Sequence, residues 1–137
     1  MLTSFEEYQL LLGKLISAFQ LIEHDLKCIA QLLNGELSKQ EISKLPLGKV
    51  ISALEGNSLQ LFDADDFLLL KALVAKRNFY CHQCVISFIY EPDFENTDSY
   101  SQSFTELKSD YNIVKKLAKQ AEDIRIQLIE RLASKHD

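Results

Sequence analysis

Apolar residues recur at alternating three- and four-residue steps through most of this chain, the spacing of one face of an α-helix. The alternation is unbroken from Phe5 through Tyr8, Leu12, Leu15, Phe19, Ile22, Leu26 and Ile29 to Leu33. It predicts a first helix of about 45 Å at roughly 1.5 Å per residue. Thr3 with Glu6, or Ser4 with Glu7, offers a capping box at its start. Asn34-Gly35 offers a stop, since both residues tolerate the left-handed conformation. A second segment starts at Ser38, with Glu41 three residues on. Pro46 interrupts it, and Leu47-Gly48-Lys49-Val50-Ile51 restarts a turn or two before Gly56, which reads as a short broken helix. Residues 56–62 are expected to be a loop. Asp63 caps a third helix from about 64 to 90, with the stripe Phe67, Leu70, Val74, Arg77, Cys81, Cys84 and Phe88. Pro92 and the Asp/Asn/Ser/Thr-rich stretch 93–103 predict a loop. Ser103 with Glu106 then caps a last helix whose face runs through Phe104, Leu107, Tyr111, Val114, Leu117, Ala121, Ile124, Leu128 and Leu132. Arg131 and Lys135 suit its C-terminal end.

Three long helices with one short broken helix predict an all-α, up-and-down helical bundle. Length agrees: 137 residues suit one domain over 1–137 with a core of its own, and no repeat or linker divides the chain. Two Pro and four Gly, among runs rich in Leu, Ile, Ala, Lys and Glu, favour helix over sheet. The apolar stripe of the first helix is wider than a two-helix seam needs. Leu11, Ala18 and Leu32 flank it on one side, Ile16 and Ala30 on the other. That width serves either the bundle core or a partner subunit. No apolar run reaches the roughly 18–20 residues that span a membrane. The N-terminus lacks a basic stretch followed by an apolar one, so a cytoplasmic address is expected. Cys28, Cys81 and Cys84, an odd number in apolar helical contexts, read as buried reduced thiols rather than a disulfide framework.

The formal net charge of −5 argues against a broad nucleic-acid-coating surface, which needs clustered Lys and Arg. It leaves room for a small local site. The segment Arg77-Asn78-Phe79-Tyr80-Cys81-His82 is the candidate, because a guanidinium on an apolar stripe must be paired, reach water or serve a site. Asn78 and His82 are four apart and share a face, while Arg77 lies about 140° round from His82 on an ideal helix. Two copies meeting across a two-fold axis would close that gap. Glu23 interrupts the apolar flank of Ile16 and Ala30, and Asp25 interrupts that of Ala18 and Leu32. A Glu23–Arg77 pair is therefore expected, with Glu23 largely buried. It is either a structural ion pair that fixes helix register or a device that orients Arg77 or Asn78 beside a reactive histidine. Residue types alone also fit a hydrogen-bonded core histidine with a snorkelling arginine neighbour.

Arg77, Asn78 and His82, spaced Arg-Asn-x3-His, resemble the signature of the HEPN superfamily, helical-bundle domains of which many are metal-independent ribonucleases. The Gln20-Leu21-Ile22-Glu23 segment followed by Leu26 resembles the first helix of several such proteins. Leu45-Pro46-Leu47-Gly48-Lys49-Val50-Ile51 is similar to the Gly-containing turn that leads to their second helix. The resemblance implies a homodimeric, metal-independent endoribonuclease, a toxin or defence effector with an RNA substrate and an antitoxin partner. Arg77, Asn78 and His82 would be its catalytic residues, with Glu23 in support and no cofactor. In the toxin subfamily paired with a small nucleotidyltransferase antitoxin, a Tyr lies two residues after the His. Cys84 stands there in this chain, which leaves regulation by modification of that tyrosine without its residue.

Cys81-His82-Gln83-Cys84 also contains a CxxC, and with His24 and Cys28 it could be drawn as a zinc site. The signal is weak, because a single CxxC inside a helix lacks a second knuckle. Two function classes remain: the endoribonuclease, and a non-catalytic HEPN-like dimerisation or partner-binding module. The acidic charge favours the second, and the intact Arg-Asn-x3-His favours the first.

Overall fold

The computed structural model describes residues 1–57 and 61–134, and in these the chain is all-helical. Its order is α1 (Ser4–Leu33), α2 (Lys39–Ser43), α3 (Leu47–Glu55), α4 (Ala64–His82), α5 (Ile86–Ile89), a 3-10 turn (Phe94–Asn96) and α6 (Asp98–Ser134). Within the loop expected at 56–62, residues 58–60 lie outside the described residues, as does Lys135. No helix among the described residues is long and apolar enough to cross a membrane.

Caps set most of the boundaries. Thr3 Oγ1 accepts the Glu6 amide at 3.1 Å, and Glu6 Oε2 accepts the Thr3 amide at 3.2 Å, so the capping box of α1 is Thr3–Glu6. Ser38 caps α2 through the Glu41 amide, and Asp63 caps α4 through the Asp66 amide at 2.8 Å. Helix α1 ends at Leu33 as expected, but not by a left-handed residue. Asn34 sits at φ −129, and the only positive φ among the described residues is at Asp93.

Cross-helix contacts fix the topology. Ser4 and Tyr8 bond the hydroxyls of Tyr100 and Ser103, and Asp25 meets Arg125, so α1 and α6 run parallel. Tyr80 and Lys76 meet Asp110, and Asp66 meets Gln120, so α4 runs antiparallel to α6. The three long helices thus go up, down and up, with the α2–α3 pair lying against α1 and α4. Leu15, Leu26 and Ile29 of α1, Val50 and Ile51 of α3, Leu70 of α4, and Leu107, Val114 and Leu117 of α6 fill the core. Each such side chain contributes about 1.5–3 kcal/mol on burial. The flanking Leu11, Ala18 and Leu32 also pack against this core, which accounts for much of the excess width of the first stripe.

Two boundaries depart from expectation. Helix α4 does not continue to 90 but stops at His82. The amides of Gln83 and Cys84 both return to the Phe79 carbonyl, at 2.8 and 2.9 Å, and Ser87 Oγ donates to the Cys84 carbonyl. The turn redirects the chain so that Phe88 enters an aromatic cluster with Phe5, Tyr8, Phe94, Tyr100 and Phe104. Helix α6 starts at Asp98, not at Ser103, because Thr97 Oγ1 accepts the Tyr100 amide as an earlier cap. Ser103 is consequently mid-helix and spends its hydroxyl on Tyr8 at 2.9 Å.

The expected stripe on the third helix also shifts. Phe67, Leu70, Leu73, Tyr80 and Cys84 are buried, Val74 and Arg77 are half-buried, and Cys81 is exposed. Of the three thiols expected to be buried, only Cys84 is, since Cys81 faces away from the core and Cys28 is half-buried.

Candidate functional site

Arg77 occupies the α4 seam between Leu73 and Tyr80, one turn from each, and its side chain turns toward α1. Arg77 Nη1 donates to Glu23 Oε2 at 2.9 Å. The other carboxylate oxygen, Glu23 Oε1, accepts from Lys27 Nζ at 3.0 Å, one helical turn on. Lys27 in turn donates to the Ser43 carbonyl at 2.9 Å, tying α2 to the same node. The expected Glu23–Arg77 pair therefore forms. Glu23 is half-buried rather than largely buried, since both partners keep 31% of their side-chain surface. At that exposure the pair is worth about 0–1 kcal/mol, so its main effect is to hold the guanidinium in place. Arginine has five N–H donors, and the carboxylate takes one of them here.

His82 is the last residue of α4, exposed, and without a side-chain hydrogen bond or ion pair among the described residues. Asn78 is likewise exposed and unpartnered. The core-histidine arrangement is thus not the one adopted. Nor does the chain bring the three motif residues together. Arg77 faces α1, whereas Asn78 and His82 face solvent. The solvent face carrying His82 is apolar in spacing: Leu68, Ala72, Ala75 and Phe79 precede it at alternating four- and three-residue steps, all exposed. Leu68 keeps 63% of its surface and Phe79 36%.

Tyr80, inside the motif, is buried and donates its hydroxyl to Asp110 Oδ2, while Lys76 Nζ pairs with Asp110 Oδ1 at 2.9 Å. Its phenol is thus unavailable for modification. The acidic interruptions are resolved separately. Asp25 lies buried 2.9 Å from Arg125 Nε, a charge contact without hydrogen-bond alignment. Asp66 accepts from Gln120 Nε2 at 3.3 Å. Sequence reasoning passed over Lys27, although a Glu–Lys pair at i,i+4 is a readable signal. It also passed over Asp110 and Arg125, whose roles depend on helix register. His24 Nε2 lies 3.6 Å from Cys28 Sγ, but no group of three or more His, Cys, Asp or Glu residues is placed to hold a metal ion among the described residues. Cys81 and Cys84 diverge, one exposed and one buried.

Burial pushes up the ionisation of Tyr8, Tyr80, Tyr100 and Cys84. Desolvation is the largest cause for each, reinforced at Tyr80 by Asp110. Each group is held neutral in the fold above the pH at which it ionises in the unfolded chain, near 9.0 for the thiol and 10.0 for the phenols. These groups therefore stabilise the fold fully below about pH 9, and their contribution is lost as pH rises beyond that. The melting temperature is expected to hold from pH 7 to 8.5 and fall progressively from pH 9.5 to 11. Tyr8→Phe should show a shallower fall. A melting temperature unchanged at pH 11 would contradict this burial.

No family model matches the chain, and no curated protein and no solved structure matches it either.

Proposed function

We propose that this chain is a metal-independent endoribonuclease of the HEPN type, a toxin or defence effector that works as a homodimer. The observation that carries the reading is the state of His82: exposed and unpartnered, on the same helix as an arginine already set by Glu23. Imidazole accepts the 2′-hydroxyl proton of the nucleotide upstream of the cut or protonates the departing 5′-oxygen. The 2′-oxygen attacks phosphorus, the P–O5′ bond breaks, and the products are a 2′,3′-cyclic phosphate and a 5′-hydroxyl. The free N–H groups of Arg77 hold the phosphoryl oxygens as charge builds on them. Asn78 orients these neighbours. Cleavage is expected to resist EDTA, because proton transfer and phosphate stabilisation both come from side chains.

Arg77 and His82 diverge by about 140° within one subunit, so the site needs a second copy. The apolar face of Leu68, Ala72, Ala75 and Phe79 beside His82 supports such pairing. Sedimentation should give a dimer at micromolar concentration, and Phe79→Glu should give a monomer that retains the wild-type circular dichroism. A wild-type monomer at that concentration would remove the dimer from the scheme.

The second reading is a non-catalytic dimerisation or partner-binding module. The same apolar face together with the net charge of −5 favours it. Induced expression of wild type beside His82→Ala, scoring growth and RNA integrity, separates the two. Growth arrest with fragmented RNA only in the wild type supports the nuclease, and identical behaviour supports the module.

A further inference from the structure

A recess of about 230 Å³ opens between α1 and α2, beside the Glu23 node, walled by His24, Lys27, Cys28, Gln31, Lys39 and Ser43 together with the apolar Ile42. No carboxylate lines it. Glu23, the acid bonded to its wall, is shared by two cations, Arg77 and Lys27, so one positive charge there is uncancelled. Lys39 adds another, with no ion pair among the described residues. Lys27 uses two of its three N–H donors on Glu23 and the Ser43 carbonyl, which leaves one. The amide of Gln31 has no side-chain partner among the described residues. In a chain of net charge −5, this is a local inversion of sign in a concave wall, and concavity focuses the field.

The recess has a defined place relative to the motif. Helices α1 and α4 are antiparallel here, because Tyr8 packs on Phe88 while Glu23 meets Arg77. Moving along the bundle from His82 to Arg77 and on past Glu23 leads toward Lys27, Cys28 and Gln31. Five residues span about 7.5 Å of helix. The recess therefore adjoins Arg77, the proposed phosphate clamp, through Glu23 and Lys27, on the side away from the same chain's His82.

We propose that the α1–α2 recess is a phosphate subsite that binds a phosphodiester of the single-stranded RNA neighbouring the one cleaved. Lys39, the spare donor of Lys27 and the Gln31 amide contact its oxygens. This inference rests on the ribonuclease reading for the identity of the ligand.

The test uses the full chain and an uncleavable probe, a fluorescein-labelled single-stranded RNA decamer carrying 2′-O-methyl groups throughout. Binding is followed by anisotropy over a series of salt concentrations. Lys39→Glu should weaken binding at least fivefold and make the salt slope shallower by about 0.7, the loss of one single-strand phosphate contact. Lys116→Ala, an exposed lysine away from the recess, should change neither. A second readout uses Cys28, in the recess wall, in a Cys81→Ser background. The decamer should slow its alkylation severalfold in the wild-type recess and not in Lys39→Glu.

Decamer binding with an unchanged slope and unprotected Cys28 in Lys39→Glu and wild type alike would overturn the subsite, while RNA cleavage in a parallel assay would leave the ribonuclease reading standing. Protection of Cys28 by inorganic phosphate without any binding of the decamer would overturn the RNA assignment. Protection by the decamer in a protein that cleaves no RNA would support the subsite and count against catalysis alone.

Discussion

His82→Ala is expected to lower the rate of the proposed RNA cleavage by about 10²–10⁴-fold, the range for a lost general acid–base. Stability changes by no more than about 0.5 kcal/mol, because His82 is exposed and unpartnered. That separation makes the substitution informative: a collapse of activity cannot be ascribed to unfolding. Arg77→Ala is expected to be comparably damaging to cleavage but not silent structurally. It leaves Glu23 with Lys27 alone and removes the packing of a half-buried stem on the α4 seam. Asn78→Ala should be milder if Asn78 only orients its neighbours. The measurement is single-turnover cleavage of a fluorescent RNA in EDTA, beside thermal melts of the same preparations. If wild type and His82→Ala cleave at equal rates, or neither cleaves any RNA and both give the same cellular phenotype, the enzymatic reading falls and the partner-binding module takes its place.

How much of this could be read in the chain follows from which forces set each feature. Helix α1 was legible because its 3-4 alternation has no interruption and its cap is local. The Glu23–Arg77 pair was legible because a carboxylate within an apolar flank and a guanidinium on a seam each need a partner. The end of α4 was not. Cys81, Cys84 and Phe88 extend the apolar spacing across the turn, and no Gly or Pro stands near 83 to announce it. What decides there is tertiary: the aromatic cluster captures Phe88, and Ser87 satisfies the freed Cys84 carbonyl. The start of α6 was hidden for the opposite reason. Asp, Ser and Thr compete with the helix backbone locally, so the stretch 93–103 reads as loop by composition, although Thr97 can cap at once. The bond between Tyr80 and Asp110 and the pair of Asp25 with Arg125 needed the register of α6 against its neighbours, which no single-helix pattern contains. The exposure of His82, on which the functional reading depends, was legible: it shares the solvent face of α4 with Asn78, four residues earlier and also exposed.

That turn is the subject of the second large effect: Phe88→Ala is expected to destabilise the fold by about 3–5 kcal/mol. Phe88 is buried, and its ring centroid lies 5.0 Å from that of Tyr100, 5.2 Å from Tyr8, 5.5 Å from Phe94 and 6.2 Å from Phe5. Truncation opens a cavity among rings drawn from α1, the 3-10 turn and α6. Edge-to-face contacts worth about 0.5–1.5 kcal/mol beyond area burial are lost with it. These elements are far apart in sequence, so collapse around the void requires several of them to move, which places the cost in the upper part of the range. For a chain of this length the melting temperature should fall by roughly 10 °C or more. Ile86→Ala, two residues earlier and on the exposed side of α5, should stay within about 0.5 kcal/mol. Urea midpoints of the two variants measured together are the check. Equal, small effects would mean that the chain beyond Gln83 does not return to the core. With the anchor gone, the C-terminal turn of α4 should also loosen. Phe88→Ala is therefore expected to lose cleavage at temperatures well below its melting point, whereas Phe88→Leu, which refills most of the volume, should recover both stability and rate.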